Sequence, residues 1–325
     1  MLRALEGRSD GRLLVGPQEF DDAGVFVLGE SEGLPAGTSV ALVQTLDFFP
    51  PVVDDPYLYG AIAAANSISD VYAMGGRPLS CLTLASLPKE FPDEWIQAIF
   101  KGGFDKIAEA GAVVVGGHTV EAEIQFGFSV TGVVEREQLT TNAGARAGDQ
   151  LYLTKPIGMG TMTTSAKLGK IDWATLEPAA LQMATLNRAA CEAMIAVKAR
   201  AATDVTGFGL VGHARNMARG SALTVRLESS QVPLFPGVRE LARKGWLSGG
   251  AKRSRAGLAE EVRVAPELED DLIALLFDAE TSGGLLIAVP AERCADLERE
   301  LKARELPVRR VGECLAQGDV AIEVV

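Results

Sequence analysis

The sequence predicts an α/β fold in two domains, 1–140 and 150–325, on three observations. Its 325 residues are about two domains' worth of chain. Its segments alternate between β-branched runs and helical periodicity. A polar, Gly-containing stretch, EREQLTTNAGARAGDQ at 135–150, interrupts that alternation and reads as the linker.

The elements follow in chain order. VFVLGE (25–30) and SVALVQTLDFF (39–49) read as strands, and YLYGAIAAANSISDVYAMGG (57–76) as a helix in which Ile62, Ala65, Ile68 and Tyr72 share one face until Gly75 and Gly76 stop it. LSCLTLASL (79–87) is a strand, DEWIQAIFKGGFDKIAEAG (93–111) a helix closed by Gly111, and AVVVGG (112–117) and FGFSVTGVV (126–134) two further strands. The second half opens with strand LYLTKP (151–156) and one long helix, PAALQMATLNRAACEAMIAV (178–197). A polar, Gly-rich stretch ATDVTGFGLVGHARNMARG (202–220) precedes strand LTVRLESS (223–230). The segments LFPGV (234–238) and GGAKRSRAG (249–257) read as surface loop, LEDDLIALLF (268–277) as a helix and GGLLIAVP (283–290) as a strand.

Composition excludes some partners. A net charge of −12 gives no cationic excess with which to release counterions from a phosphate backbone, so nucleic acid is not an expected partner. No apolar run reaches the ~18–20 residues a membrane helix needs, and the N-terminal MLRALEGRSDGR has no apolar signal core, so the expected location is the cytoplasm. Cys81, Cys191, Cys294 and Cys314 are scattered without a CxxC pair or a Cys/His cluster, which points to reduced structural thiols.

Several acids stand where a core pattern would not choose them. Asp47 interrupts the apolar run VALVQTLDFF, and a buried carboxylate there costs several kcal/mol unless it is paired or bound to metal. Asp70 lies on an apolar helix; Asp21 and Asp22 precede a strand; Asp204 occupies ATDVTGFG. For Asp21, Asp22 and Asp204 turn or cap chemistry is an equally available reading. Carboxylates from separate segments can converge on Mg²⁺, which takes one or two of them and keeps its other positions for water and phosphate oxygens. There is no GxxxxGK[ST], so phosphates would rest on metal and on Gly-rich backbone such as GGHT (116–119) or TSGG (281–284).

GFGLVG (207–212) matches GxGxxG, yet the preceding KARAATDVT is polar and short of β-branched residues, where a dinucleotide fold requires a buried strand. His118, expected at the end of the AVVVGG strand, either fixes backbone or contacts substrate; His213 reads as a packed or capping residue on a helix that follows Gly212.

Taken together, LLVG followed by DDAGV, TLDFFPPVVDDPYLYGAIAAANSISDVYAMGGRPL, VVVGGHT, FSVTGVV, LTKPIGMG, TDVTGFGLVGH and ETSGGLL resemble the selenophosphate synthetase (selenide, water dikinase) family over nearly the whole chain. The family sits in the aminoimidazole ribonucleotide synthetase-like superfamily. The resemblance implies conversion of selenide, ATP and water to selenophosphate, AMP and phosphate. It implies Mg²⁺ held by Asp22, Asp70 and Asp204, and nucleotide or its metals contacted by Asp21, Asp47, Asn66, Asp70, Gly117, His118 and Thr119, with Glu19 and Phe20 contributing backbone. It also implies a homodimer whose N-terminal sheets close a β-barrel.

One departure stands out. Members of the family carry, upstream of LLVG, a Cys or selenocysteine followed three residues later by Lys; here no Cys precedes Cys81 and no Lys precedes Lys89. The expectation is that this motif lies upstream of Met1, at a selenocysteine codon read as a stop. The rival readings are another ATP-dependent member of the superfamily, such as a thiamine-monophosphate kinase or a hydrogenase-maturation protein, and a nucleotide-binding protein without catalysis.

Overall fold

The structure, a computed structural model, describes residues 10–18 and 20–325, so Glu19 lies outside the described residues. Two units divide the chain, one running to Thr141 and the other from Asn142 to Val325.

The first unit is a six-stranded sheet with two helices on one face. Its strands are β1 (Leu13–Val15), β2 (Gly24–Leu28), β3 (Val40–Phe49), β4 (Arg77–Leu87), β5 (Val113–Glu121) and β6 (Gln125–Val134); its helices are α1 (Pro56–Ala73) and α2 (Asp93–Glu109). The spatial order is β1-β2-β3-β6-β4-β5, antiparallel except where β4 and β5 run parallel around the α2 crossover. Asp55 starts α1 by accepting the Leu58 N–H at 2.7 Å, Pro56 supplies a pre-set φ in the first turn, and Gly75, at φ +74, ends it.

α1 is Ala-rich because it is buried almost all round, and it meets α2 through glycine. A Cβ on Gly60 would stand 1.9 Å from the Ile99 carbonyl oxygen, and one on Gly102 would stand 1.9 Å from that of Tyr57. β3 alternates cleanly. Ala41, Val43, Thr45 and Asp47 take the helix-facing side, while Leu46 and Phe48, each 50% exposed, take the other.

The second unit is a seven-stranded mixed sheet of order β10-β13-β9-β12-β7-β11-β8. Its strands are β7 (Gln150–Leu153), β8 (Ala201–Asp204), β9 (Leu223–Leu227), β10 (Val262–Val264), β11 (Leu285–Val289), β12 (Arg310–Ala316) and β13 (Ile322–Val324). Its helices are α3 (Met159–Lys167), α4 (Trp173–Met183), α5 (Arg188–Ala196), α6 (Gly209–Gly220), α7 (Val238–Arg243), α8 (Gly249–Gly257), α9 (Asp270–Leu276) and α10 (Cys294–Ala303). Leu151, Leu153, Val211, Ala214, Val225, Leu286, Val311 and Cys314 are at the centre of its core. No helix among the described residues is long and apolar enough to cross a membrane.

Four readings of the sequence need correction. The helix expected over 178–197 is two: α4 starts earlier, at a cap from Asp172, continues through Pro178, and is separated from α5 by 184–187, where the Thr185 carbonyl turns away to meet the Lys155 ammonium at 2.7 Å. GGAKRSRAG is helix α8, not loop, because the Ser248 hydroxyl caps it by accepting the Ala251 N–H. The polar-looking AATD is the buried strand β8. Helix α6 begins at Gly209, so His213 sits one turn inside it.

Candidate functional site

In the first unit the periods of a strand and a helix place four polar side chains together. Thr45 and Asp47, two residues apart, project from β3 toward α1; Asn66 and Asp70, four apart, project from α1 toward β3. The pairs cross: the Thr45 hydroxyl donates to Asp70 Oδ2, and the Asn66 amide donates to Asp47 Oδ2 at 3.1 Å. Ser67 Oγ locks the frame: its one proton is within reach of both the Ala63 carbonyl, at 2.9 Å, and the Asp47 carbonyl, at 3.1 Å, and its oxygen accepts the Phe128 N–H at 3.3 Å.

Asp70 is buried and Asp47 half-buried. Desolvation pushes the Asp47 carboxyl above the usual carboxylate range, and the Asn66 hydrogen bond opposes that shift. Two acids and a carboxamide in one partly dry frame form an all-oxygen donor set, the kind that suits Mg²⁺, and a divalent cation would neutralise the charge that burial disfavours. The residues present therefore fit the expected metal.

Asp21 and Asp22 line, with Phe20, Val15, Gly16 and Gln44, an open cavity of about 370 Å³ where the chain enters β2. Phe20 has φ +52, a conformation uncommon for a bulky side chain, and the residue is 46% exposed. Asp21 Oδ1 accepts the Asp22 N–H at 3.0 Å, so the turn chemistry allowed by the sequence is also present.

Gly117, His118 and Thr119 are not with the acids. They lie inside β5, an exposed edge strand, and His118 is opposite Leu84 rather than at a strand end. The register Asp47–Phe128–Thr83–Gly117 puts Gly117 in the same transverse row as Asp47 but three strands away, roughly 14 Å at ~4.8 Å per strand. A Cβ at Gly117 would stand 2.4 Å from the Thr83 carbonyl, which is why this position is glycine.

In the second unit Asp204 ends β8 and is 1% exposed. β11 pairs with it through Leu285, and the Val205 N–H donates to the Gly284 carbonyl at 2.9 Å. TSGG is scaffolding here, not a phosphate cradle. Residues 282–284 are buried; Lys155 Nζ donates to the Ser282 carbonyl at 2.8 Å, and Asn187 donates to that of Gly283 at 2.8 Å. A Cβ on Gly283 would stand 2.1 Å from the Val205 carbonyl.

The GxGxxG match has the buried strand it was thought to lack, but the wrong topology. β8 is an edge strand antiparallel to β11, and α6 leads to β9, four places away in the sheet, so α6 does not join β8 to a neighbouring parallel strand as a dinucleotide-binding unit requires. Burial pushes the thiols of Cys81, Cys191 and Cys314 up to about 12, which leaves them protonated.

Sequence reasoning missed Thr45, Ser67, Lys155 and Asn187. For Thr45 a signal existed: it stands two residues before Asp47 on the same strand face. Lys155 and Asn187 act through carbonyls far away in sequence and leave no local pattern.

The family described as AIR synthase related protein, N-terminal domain, matches residues 20–134, and its C-terminal counterpart matches residues 146–325. A selenide, water dikinase from Nitratidesulfovibrio vulgaris (strain DP4) is 43% identical over 96% of this chain and 88% of its own length. The chain belongs to the selenide, water dikinase family. Another member, from Caldanaerobacter subterraneus subsp. tengcongensis, is 44% identical over 94% of this chain and 86% of its own length.

Solved structures extend the likeness to the fold. Thiamine-monophosphate kinase from Stenotrophomonas maltophilia K279a superposes with TM-score 0.71 at 22% identity, covering 97% of this chain and 91% of that one. Hydrogenase maturation protein HypE in complex with ATP gives TM-score 0.65 at 19% identity, covering 89% and 80%. This selenide, water dikinase family member thus has the two-domain AIR synthase-like α/β fold.

Proposed function

We propose that the chain catalyses ATP-dependent synthesis of selenophosphate from selenide and water, releasing AMP and phosphate. The observation that carries this reading is the crossed pair of acids, half-buried Asp47 with Asn66 and buried Asp70 with Thr45, in a chain 43% identical to a named selenide, water dikinase. Asp22, Asp70 and Asp204 are the proposed Mg²⁺ ligands. Asp21, Asp47, Asn66, Asp70, Gly117, His118 and Thr119 are the proposed nucleotide-contacting residues, with the backbone of Glu19 and Phe20.

Magnesium, when bound, neutralises the triphosphate charge and orients its phosphorus for in-line attack. The chain's own residues do the holding. Asn66 and Thr45 each tie one oxygen of a carboxylate, so Asp47 and Asp70 present a fixed geometry instead of swinging freely. Asp47, pushed upward by burial, is drawn to its charged form by an incoming cation.

A homodimer is proposed on the exposed sheet face. Leu46, Phe48, Leu82 and Val120 are each about half exposed on the side of the sheet away from α1 and α2, an apolar patch that a second copy can cover. The cytoplasm, where ATP is supplied, is the proposed location.

The test is anaerobic incubation of the full chain with ATP, Mg²⁺ and selenide. AMP should form in step with a selenophosphate phosphorus signal. Accumulation of ADP alone refutes the reading in favour of a simple kinase, and nucleotide binding without turnover refutes it in favour of a noncatalytic protein.

A further inference from the structure

His213 is buried one turn inside α6, its ring 5.7 Å from that of Phe208, and its two nitrogens face the two sides of one turn. The Thr206 N–H donates to Nε2 at 3.0 Å, and the Thr206 hydroxyl is 3.2 Å from the same nitrogen. A nitrogen that accepts an N–H carries a lone pair and no proton, so the proton of the neutral ring is on Nδ1. Nδ1 is 3.2 Å from Thr203 Oγ1, and that hydroxyl donates its own proton to the Asp204 carbonyl at 3.0 Å. The Thr203 oxygen is therefore the acceptor for Nδ1–H. Every proton in the relay has one direction: His213 Nδ1 to Thr203, Thr203 to the Asp204 carbonyl, and Thr206 N–H to His213 Nε2.

The imidazole thus bridges Thr203 and Thr206, the residues on either side of Asp204 and Val205. Other contacts fix the same segment from below. Val205 N–H donates to the Gly284 carbonyl, and the Thr206 carbonyl accepts from both Gly209 N–H, at 2.9 Å, and Glu280 N–H, at 3.0 Å. The side chain of His213 joins strand end to helix one turn further along α6 than the Gly209 N–H bond to the Thr206 carbonyl.

We propose that His213, as the Nδ1–H tautomer, is a positioning residue that fixes the Thr203–Thr206 turn carrying Asp204, and that it neither ligates the cation nor transfers a proton in the reaction. This rests on the reading above in which Asp204 is a magnesium ligand. The one free lone pair, which either a metal or an incoming proton would need, is on Nε2 and is committed to the Thr206 N–H.

The chain has two histidines, His118 and His213, so ¹⁵N-histidine labelling of the full protein gives two imidazoles, separable with the variant His118→Gln. Long-range proton–nitrogen correlation should show His213 with protonated Nδ1 and an unprotonated, hydrogen-bonded Nε2, unchanged in protonation when Mg²⁺ and a non-hydrolysable ATP analogue are added. An Nε2–H tautomer, or an Nε2 signal moved to a metal-bound position, overturns the proposal. This measurement is made on an unaltered His213 and needs no variant of it to fold.

A second measurement separates this inference from the reading beneath it. Bound Mn²⁺ is counted by paramagnetic resonance with the same analogue. Asp204→Asn should weaken Mn²⁺ binding; His213→Phe, which keeps the ring beside Phe208, should weaken it about tenfold through the lost buried hydrogen bond, and His213→Gln should recover most of that loss. If Asp204→Asn leaves Mn²⁺ affinity unchanged, the ligand reading fails. If Asp204→Asn weakens binding and His213→Phe does not, the positioning role fails while the ligand reading stands.

Discussion

Replacing Gly60 by Ala should loosen the α1–α2 crossing and, with it, the acid frame. The added Cβ would stand 1.9 Å from the Ile99 carbonyl oxygen, 2.8 Å from its carbon and 3.0 Å from the Gly103 nitrogen. These atoms are backbone and cannot rotate away. To restore an ordinary contact of about 3.4 Å, α1 and α2 must part by about 1.5 Å (3.4 − 1.9), which opens gaps elsewhere along a buried interface. Overpacking of that kind costs up to about 3 kcal/mol, and the better helix propensity of Ala returns about 1 kcal/mol. A net loss of about 2 kcal/mol is expected in urea unfolding. Because α1 carries Asn66 and Asp70, a shifted helix also lengthens the 3.1 Å Asn66–Asp47 bond, so Mn²⁺ affinity should fall along with stability. Gly257→Ala is the control: that glycine ends α8 with nothing within 4 Å of a new Cβ and should be neutral or gain up to about 1 kcal/mol. A Gly60→Ala protein as stable as the original would refute the close-crossing account.

Three further outcomes are expected. Phe48→Asp, placed on the exposed face of β3, should convert a dimer to a folded monomer in sedimentation, and a variant that stays dimeric would remove that face from the interface. Burial lowers the His213 imidazole from 6.5 to about 4, so the folded protein keeps it neutral while the unfolded chain takes up a proton. Stability is therefore full above about pH 6.5 and falls as pH drops toward 4, by roughly 1.4 kcal/mol per pH unit and roughly 3 kcal/mol in all; it is read as the narrowing difference in urea midpoint between the original protein and His213→Gln. A thiol reagent should label Cys294, which is partly exposed, while Cys81, Cys191 and Cys314 stay unmodified until the protein unfolds; fast labelling of Cys81 would contradict its burial.

Much of the first unit was legible because local pattern and tertiary environment agree there. Asp47 stood out as a charge inside an apolar strand and Asp70 as a charge on an apolar helix, while Asn66 entered only through the family resemblance. Their meeting was not legible, because it depends on α1 lying across β3 with residue 66 over 47 and residue 70 over 45. In the second unit distant contacts override the pattern. The break at 184–187 exists where Lys155, on the segment after β7, captures the Thr185 carbonyl. β8 consists of Ala, Ala, Thr and Asp, of which only Thr favours a strand, and is held by pairing with Leu285–Ala288 of β11. α8 looked like a basic loop because its length and Gly content hide a helix that one serine hydroxyl starts.

β3 serves two purposes with one backbone. Odd-numbered Thr45 and Asp47 look inward and even-numbered Leu46 and Phe48 look outward, so inserting or deleting a single residue between 40 and 49 would exchange the two sets. Oily side chains would then fill the place meant for a cation, and carboxylates would be presented to the neighbouring subunit. Within these ten positions the chain can drift by substitution alone, and a lesion in length there would abolish chemistry and assembly together.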